Sequence, residues 1–227
     1  MIDLEREKAA AAARAVAMVT DGMRVGLGTG STAAYAVKGI GARVRQGLKI
    51  TAIATSERTR VLAESEGIAV TDFTKCAELD ITIDGADESD RNLRLIKGGG
   101  GALLREKIVA SVSKRVVIIA DSAKLVGKLG KFPLPVEVVK FAWPVVAARL
   151  RALGAESKLR LASDGKPFVT DEGNWILDAA FGAIERPEHV AQVLSTTPGV
   201  VEHGLFIGLA TTLVIARGDA VEVIQRP

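Results

Sequence analysis

Met23-Arg24-Val25-Gly26-Leu27-Gly28-Thr29-Gly30-Ser31-Thr32 begins as a short apolar run and dissolves into glycines and hydroxyls. Bounded by turn residues and followed by a helix predicted over 33–39, the run reads as a buried strand that hands over to a helix. The same unit recurs outward from it. Upstream, Asp3 is placed to cap an alanine-rich helix over 4–19, with Glu5 and Glu7 at its positive end. Downstream, KITAIAT (49–55) predicts a strand, Ser56 caps a helix over 57–67, and IAVTDF (68–73) predicts another strand. LDITID (79–84), a helix over 102–113 and RVVIIAD (115–121) continue the alternation. Short Val/Ile-rich strands separated by helices indicate a parallel sheet covered on both faces.

Beyond Lys131 the texture changes. FPLPVEVV (132–139) carries two prolines, a helix follows over 142–154, and two hairpin-like strands flank Asp171-Glu172-Gly173-Asn174. A helix over 186–199 stops at Pro198-Gly199. VVEHGLF (200–206) leads to TTLVIAR (211–217) and AVEVIQ (220–225), split by Gly218-Asp219 and expected to rejoin the first sheet. The expected fold is α/β: a Rossmann-like parallel-sheet domain over 1–131 plus 206–227, with a smaller α+β domain inserted over 132–205.

Composition narrows the function. With 227 residues, 48% apolar and 25% charged, the chain is neither disordered nor, with Cys76 alone, a disulfide scaffold. No apolar run approaches the ~20 residues of a membrane span, and MIDLEREK is charged where a signal peptide is apolar, so a cytoplasmic protein is expected. Thirty basic against 27 acidic residues leave a scattered charge of +3, which argues against nucleic acid as a partner. His189, His203 and Cys76 form no zinc spacing. Acid–base chemistry therefore falls to carboxylates and lysines.

Three polar segments share one position, the carboxyl end of a predicted strand, where open α/β sheets bind ligands. The first, Gly26 to Thr32, offers backbone amides, three hydroxyls and a helix start to an anion; a tight turn needing small residues is the alternative. It is not a dinucleotide fingerprint, because the third glycine position is Ser31, and no G-K-[ST] follows. The second, Asp84-Gly85-Ala86-Asp87-Glu88, crowds three acids, which suits a solvated turn, shared protons or a divalent metal. The third, Lys97-Gly98-Gly99-Gly100-Gly101-Ala102, runs into a helix carrying Glu106. Four glycines in a row imply that a ligand or another backbone comes close. A carboxylate beside a lysine electrophile suits proton abstraction next to a carbonyl.

GLGTGSTA (26–33), TSERT (55–59), DGADE (84–88), KGGGGALLREK (97–107) and GKFPLPVEV (130–138) occur in that order, followed by GNWILD (173–178) and PGVVEHGLF (198–206). This succession resembles the ribose-5-phosphate isomerase family of the A type over nearly the whole chain. The resemblance implies interconversion of D-ribose 5-phosphate and D-ribulose 5-phosphate through an enediol(ate), in the pentose phosphate pathway, with no metal and no cofactor. It implies Glu106 as the base between C1 and C2, Lys97 as the cation for the enediolate oxygen, and Asp84 and Asp87 for ring opening and hydroxyl protons. Substrate binding would fall to Thr29, Gly30, Ser31, Thr32, Gly85, Ala86, Gly98, Gly99 and Gly100, with Lys124 and Lys8 on the phosphate. A homodimer or homotetramer is the family expectation, with the smaller domain as lid or subunit contact.

Two other classes keep part of the pattern. A phosphosugar-sensing module would keep the cradle without needing a base. A related enzyme, an amino-sugar phosphate deaminase or a coenzyme A transferase, would betray itself by ammonia or thioester. The set Asp84, Asp87, Lys97 and Glu106 favours the isomerase.

Overall fold

A computed structural model describes residues 3–218 and 220–226; Asp219, of the expected Gly218-Asp219 break, and Met1, Ile2 and Pro227 lie outside the described residues. In chain order the first half comprises α1 (Leu4–Val16), β1 (Arg24–Leu27), α2 (Ser31–Arg45), β2 (Thr51–Ala54), α3 (Glu57–Ser65), β3 (Ile81–Gly85), β4 (Glu88–Ser89), β5 (Leu95–Ile96), α4 (Leu103–Ser111) and β6 (Val116–Asp121). The second comprises β7 (Leu134–Val138), α5 (Trp143–Ala152), β8 (Glu156–Leu159), β9 (Trp175–Ala180), α6 (Pro187–Ser195), β10 (Val200–His203), β11 (Leu205–Phe206), β12 (Thr212–Arg217) and β13 (Ala220–Gln225). Asp3 accepts from the Arg6 amide (3.1 Å) and Ser56 from the Thr59 amide (3.1 Å), so both side-chain caps stand where the sequence puts them.

The main sheet runs β13-β12-β6-β3-β1-β2, parallel except for the edge pair β12–β13. The last two strands do return to it. Every residue of β6 is buried, as a central strand between helical layers requires. The chain steps from β1 outward to β2 and then crosses to β3 on the other flank. The order therefore reverses between β1 and β3, and an open sheet has its binding crevice outside the carboxyl ends of the strands at such a point.

Three expectations are corrected. Residues 68–73 form no strand: only Val70 bridges Ala52, and Asp72 turns the chain away by accepting from the Thr74 amide (2.8 Å). Helix α2 runs from 31 to 45, past its glycines, because Gly39 lies against Val16 and a side chain at Gly41 would strike Glu66. Close helix contact offsets their low helical propensity. Residues 160–170, before the 171–174 turn, hold only a Leu161–Pro167 bridge; the partner of β9 is β8.

A second sheet, β10-β7-β9-β8, is antiparallel and closes over its own apolar cluster around Val136, Val146, Leu150 and Leu177. The third sheet, β11-β5-β4, has no sequence signature, being built of two-residue strands, one of which comes from the far end of the chain. It matters nonetheless: Asp87 immediately precedes β4, Lys97 immediately follows β5, and Phe206 lies on β11.

Candidate active site

The crevice between the ends of β1 and β3 is a small cleft of about 90 Å³, open to solvent on one side. It is lined by Thr29, Gly30, Ser31, Thr32, Ala33, Gly85, Ala86, Asp87, Lys97, Gly98, Gly100, Glu106 and Lys124. All three polar segments of the sequence meet there. Three of the expected residues do not line it: Asp84 stands behind Lys97, Gly99 spends its amide on Asp87, and Lys8 pairs with Glu5 on α1 (2.7 Å).

One wall is an anion cradle. Gly30 begins α2 at φ +122° and supplies no side-chain cap, leaving the first amides of the helix open. Behind the loop, buried Thr29 Oγ1 meets Thr55 Oγ1 and Ser56 Oγ at 2.8 Å each, and Thr59 Oγ1 donates to the Gly28 carbonyl (3.0 Å). This hydroxyl cluster is the structural use of the TSERT motif, to which the sequence alone assigns only a helix cap at Ser56. Lys124 reaches the cleft from the 3₁₀ turn after β6, held by Asp121 accepting from the Ala123 amide (3.1 Å) and Glu7 from the Ser122 amide (2.9 Å).

The floor is a buried charge cluster. Lys97 Nζ donates to the Gly85 carbonyl (2.6 Å) and lies 2.9 Å from Asp84 and 3.4 Å from Glu106, all three side chains being 3% exposed. The Phe206 ring covers the lysine, 5.5 Å from its centroid. Asp84 also accepts from the Thr29 (3.1 Å) and Gly85 (2.7 Å) amides, an approach only glycine at 28 permits, because a Cβ there would overlap the carboxylate. Glu106 Oε2 has no properly directed hydrogen bond.

One lysine thus faces two carboxylates. Burial works against the lysine's charge, but Asp84 and Glu106 outweigh it and hold its pKa above the ordinary value. Burial pushes Asp84 up, opposed by Lys97 and its amide donors. Burial also pushes Glu106 up to about 8, with Asp84 and Asp87 adding to the rise against the pull of Lys97. Asp84 lies closer to the lysine and accepts from two backbone amides, whereas Glu106 Oε2 has no hydrogen-bond partner. Two buried carboxylates sharing one lysine are both raised, and Glu106, lifted to about 8, comes near the range where acid–base chemistry works best.

The acidic trio of DGADE is dispersed. Asp87 accepts from the Gly99 amide (2.7 Å), whereas buried Glu88 turns away and accepts from the Gly130 (2.7 Å) and Phe132 (2.6 Å) amides. Among the described residues no group of three or more His, Cys, Asp or Glu is arranged to hold a metal ion.

A parallel sheet with an anion cradle and a buried lysine–carboxylate cluster at its switch point defines an α/β enzyme built for proton transfer on a small anionic substrate. The model of the family "Ribose 5-phosphate isomerase A (phosphoriboisomerase A)" matches residues 51–220. Ribose-5-phosphate isomerase A of Sphingopyxis alaskensis is 58% identical over 226 residues, covering 100% of this chain and 99% of that protein. The Rhodopseudomonas palustris enzyme of the same name is 53% identical, with 99% and 100% covered. The isomerase structure from Methanocaldococcus jannaschii superposes with a TM-score of 0.92 at 38% identity, covering 96% and 98%. Another D-ribose-5-phosphate isomerase, in complex with phospho-erythronic acid, gives 0.96 at 36% identity, covering 99% and 100%. The chain belongs to the ribose-5-phosphate isomerase A family. Its reaction is the aldose–ketose interconversion of ribose 5-phosphate and ribulose 5-phosphate in the pentose phosphate pathway.

Proposed function

We propose that Glu106 carries the proton between C2 and C1 of the open-chain sugar phosphate. The observation behind this reading is the cluster itself: a buried carboxyl with an uncommitted oxygen, 3.4 Å from Lys97 in the cleft floor. Glu106 takes the C2 proton of the aldose, the electron pair forms the C1–C2 double bond, and the negative charge moves to O1 beside Lys97. Returning the proton to C1, while the O2 hydroxyl proton is passed to O1, yields the ketose. The lysine is already in place and already charged, so little reorganisation accompanies the developing oxyanion.

Asp87, which lines the cleft, handles ring opening and hydroxyl protons; Asp84 acts through Lys97 by fixing its ammonium group. The phosphate sits on the amides and hydroxyls of residues 30–32 with Lys124 as its cation, and Lys8, committed to Glu5, is the weaker candidate. A relative that binds phospho-erythronic acid, which joins a carboxylate to a phosphorylated chain, supports a site with two separated anion positions. Glu106→Gln is the test: phosphosugar binding should persist while isomerisation disappears. Near-normal turnover would sink the assignment of the base. Isomerisation is also expected to be unchanged in excess chelator; its loss would restore a metal to the reaction.

The proposal extends to organisation. Residues 132–205 form the smaller domain and 1–131 with 206–227 the catalytic one. Phe141, 94% exposed beside exposed Val139 and Val145, supports subunit contact through the smaller domain and a homodimer or homotetramer. Light scattering that finds only monomer at micromolar concentration would contradict it. A pathway substrate of central metabolism supports a cytoplasmic location, which cell fractionation tests.

A further inference from the structure

Arg160, immediately after β8, has no part in the proton transfer, yet it reaches the glycine loop of the cleft. Its backbone is held twice, its amide donating to the Ile176 carbonyl (2.8 Å) and its carbonyl accepting from the Phe168 amide (2.9 Å). Its guanidinium forks onto the Asp178 carboxylate, Nε donating at 2.9 Å, so the side chain is anchored from behind. From that anchor Nη1 donates to the carbonyls of Gly98 (2.9 Å) and Gly99 (3.2 Å). Phe168 lies under the guanidinium, 5.9 Å from ring centroid to Cζ, and fills the space a side chain at Gly101 would need.

One of these bonds has a direct chemical partner in the cleft. The Gly98 carbonyl and the Gly99 N–H belong to the same peptide plane and point in opposite directions. Arg160 holds the carbonyl side, and Asp87 Oδ2 accepts from the N–H side at 2.7 Å. A cation on the carbonyl polarises the peptide and strengthens its N–H as a donor. Glycine on both sides of the bond, with Gly98 at φ +101°, would otherwise leave this plane free to rotate.

We propose that Arg160 is a positioning residue for the isomerisation: through the Gly98–Gly99 peptide it fixes the Asp87 carboxylate and the loop between Lys97 and α4. Asp178 anchors it, which gives the GNWILD motif a function. The inference rests on the assignment of Asp87 to the hydroxyl protons.

A double-mutant cycle separates coupling from bulk structural support. Arg160→Ala should lower kcat by about 10–100-fold, the scale of a small misplacement of catalytic groups, with KM changed less than about threefold and partial rescue by free guanidinium. In an Asp87→Asn background the same change should cost less than about twofold, because the carboxylate it acts on is gone. An equal loss in both backgrounds, or a kcat for Arg160→Ala within twofold of the parent, would overturn the proposal. If Arg160→Ala does not fold, Arg160→Lys and Asp178→Asn run through the same cycle with the same two criteria. The Glu106→Gln assay stands apart: its failure would remove the base assignment without altering the Arg160–Asp87 coupling measured here.

Discussion

Asp80 and Asp84 sit just before and within the same strand, each against a lysine, and their environments treat the charge in opposite ways. Asp80, at the amino end, faces two cations: Arg24 donates to it from both backbone and side chain, and Lys114 reaches it at 2.9 Å. Those hydrogen bonds, Arg24 foremost, hold its pKa well below the usual carboxylate range. Asp84, at the carboxyl end, is buried and shares one lysine with Glu106, and burial raises its pKa. The number of cations per carboxylate and the access of water decide the outcome. An excess of cations at a wet edge makes an ion pair; an excess of carboxylates in a dry pocket leaves one of them ready to carry a proton.

The largest expected effect that would break this contrast is that of Glu106→Gln, a loss of about 10²–10⁴-fold in kcat, the range for one acid–base group. The variant also has a stability signature. Folding raises the pKa of Glu106 from ~4.3 to about 8, so its contribution to stability is fully present below the unfolded value and is lost as pH rises through the folded one. Thermal melts should therefore show Glu106→Gln gaining on the parent at alkaline pH. Equal alkaline sensitivity would mean that the carboxyl is not held neutral by its surroundings.

Next comes Lys97→Met, expected to lower kcat by about 10²–10³-fold as for loss of one oxyanion donor. It should also lower the melting midpoint, because two buried carboxylates lose their cation. Lys124→Ala should act on binding, raising KM about 10–100-fold through loss of a charge-assisted contact of about 1.5–3 kcal/mol with kcat little changed. A fall in kcat without a change in KM would remove Lys124 from the phosphate. The smallest effect belongs to the other end of the strand. Asp80→Asn should leave kcat within about twofold of the parent and cost a little stability. That cost should be fully present above ~pH 3.9 and fade as the pH falls further, the sign for a carboxyl whose folded pKa is depressed.

How far the site was legible follows from how each residue announces itself. Lys97 and Glu106 are legible because four consecutive glycines announce that a ligand or neighbouring chain comes close, and Thr29 to Thr32 because strand, glycine turn and helix follow in sequence. DGADE misleads, since the chain bends at 87 before entering β4 and parts the neighbouring side chains; Asp87 lines the cleft while Glu88 accepts from the amides of Gly130 and Phe132. The three-stranded sheet is invisible because two-residue strands carry no periodicity, although it places Lys97 and Asp87 side by side. Arg160 gives no signal either: it is one charged residue in a long connection, and its meaning lies in carbonyls 62 and 61 positions away.

The central claim is that a shortage of positive charge in a dry pocket sets Glu106 apart from an ordinary carboxylate. Carbon-13 carboxyl titration of the free enzyme, with Glu106→Gln used to assign the resonance, measures this directly. The account predicts a midpoint raised to about 8. A midpoint near the ~4.3 of an unperturbed glutamate would contradict it.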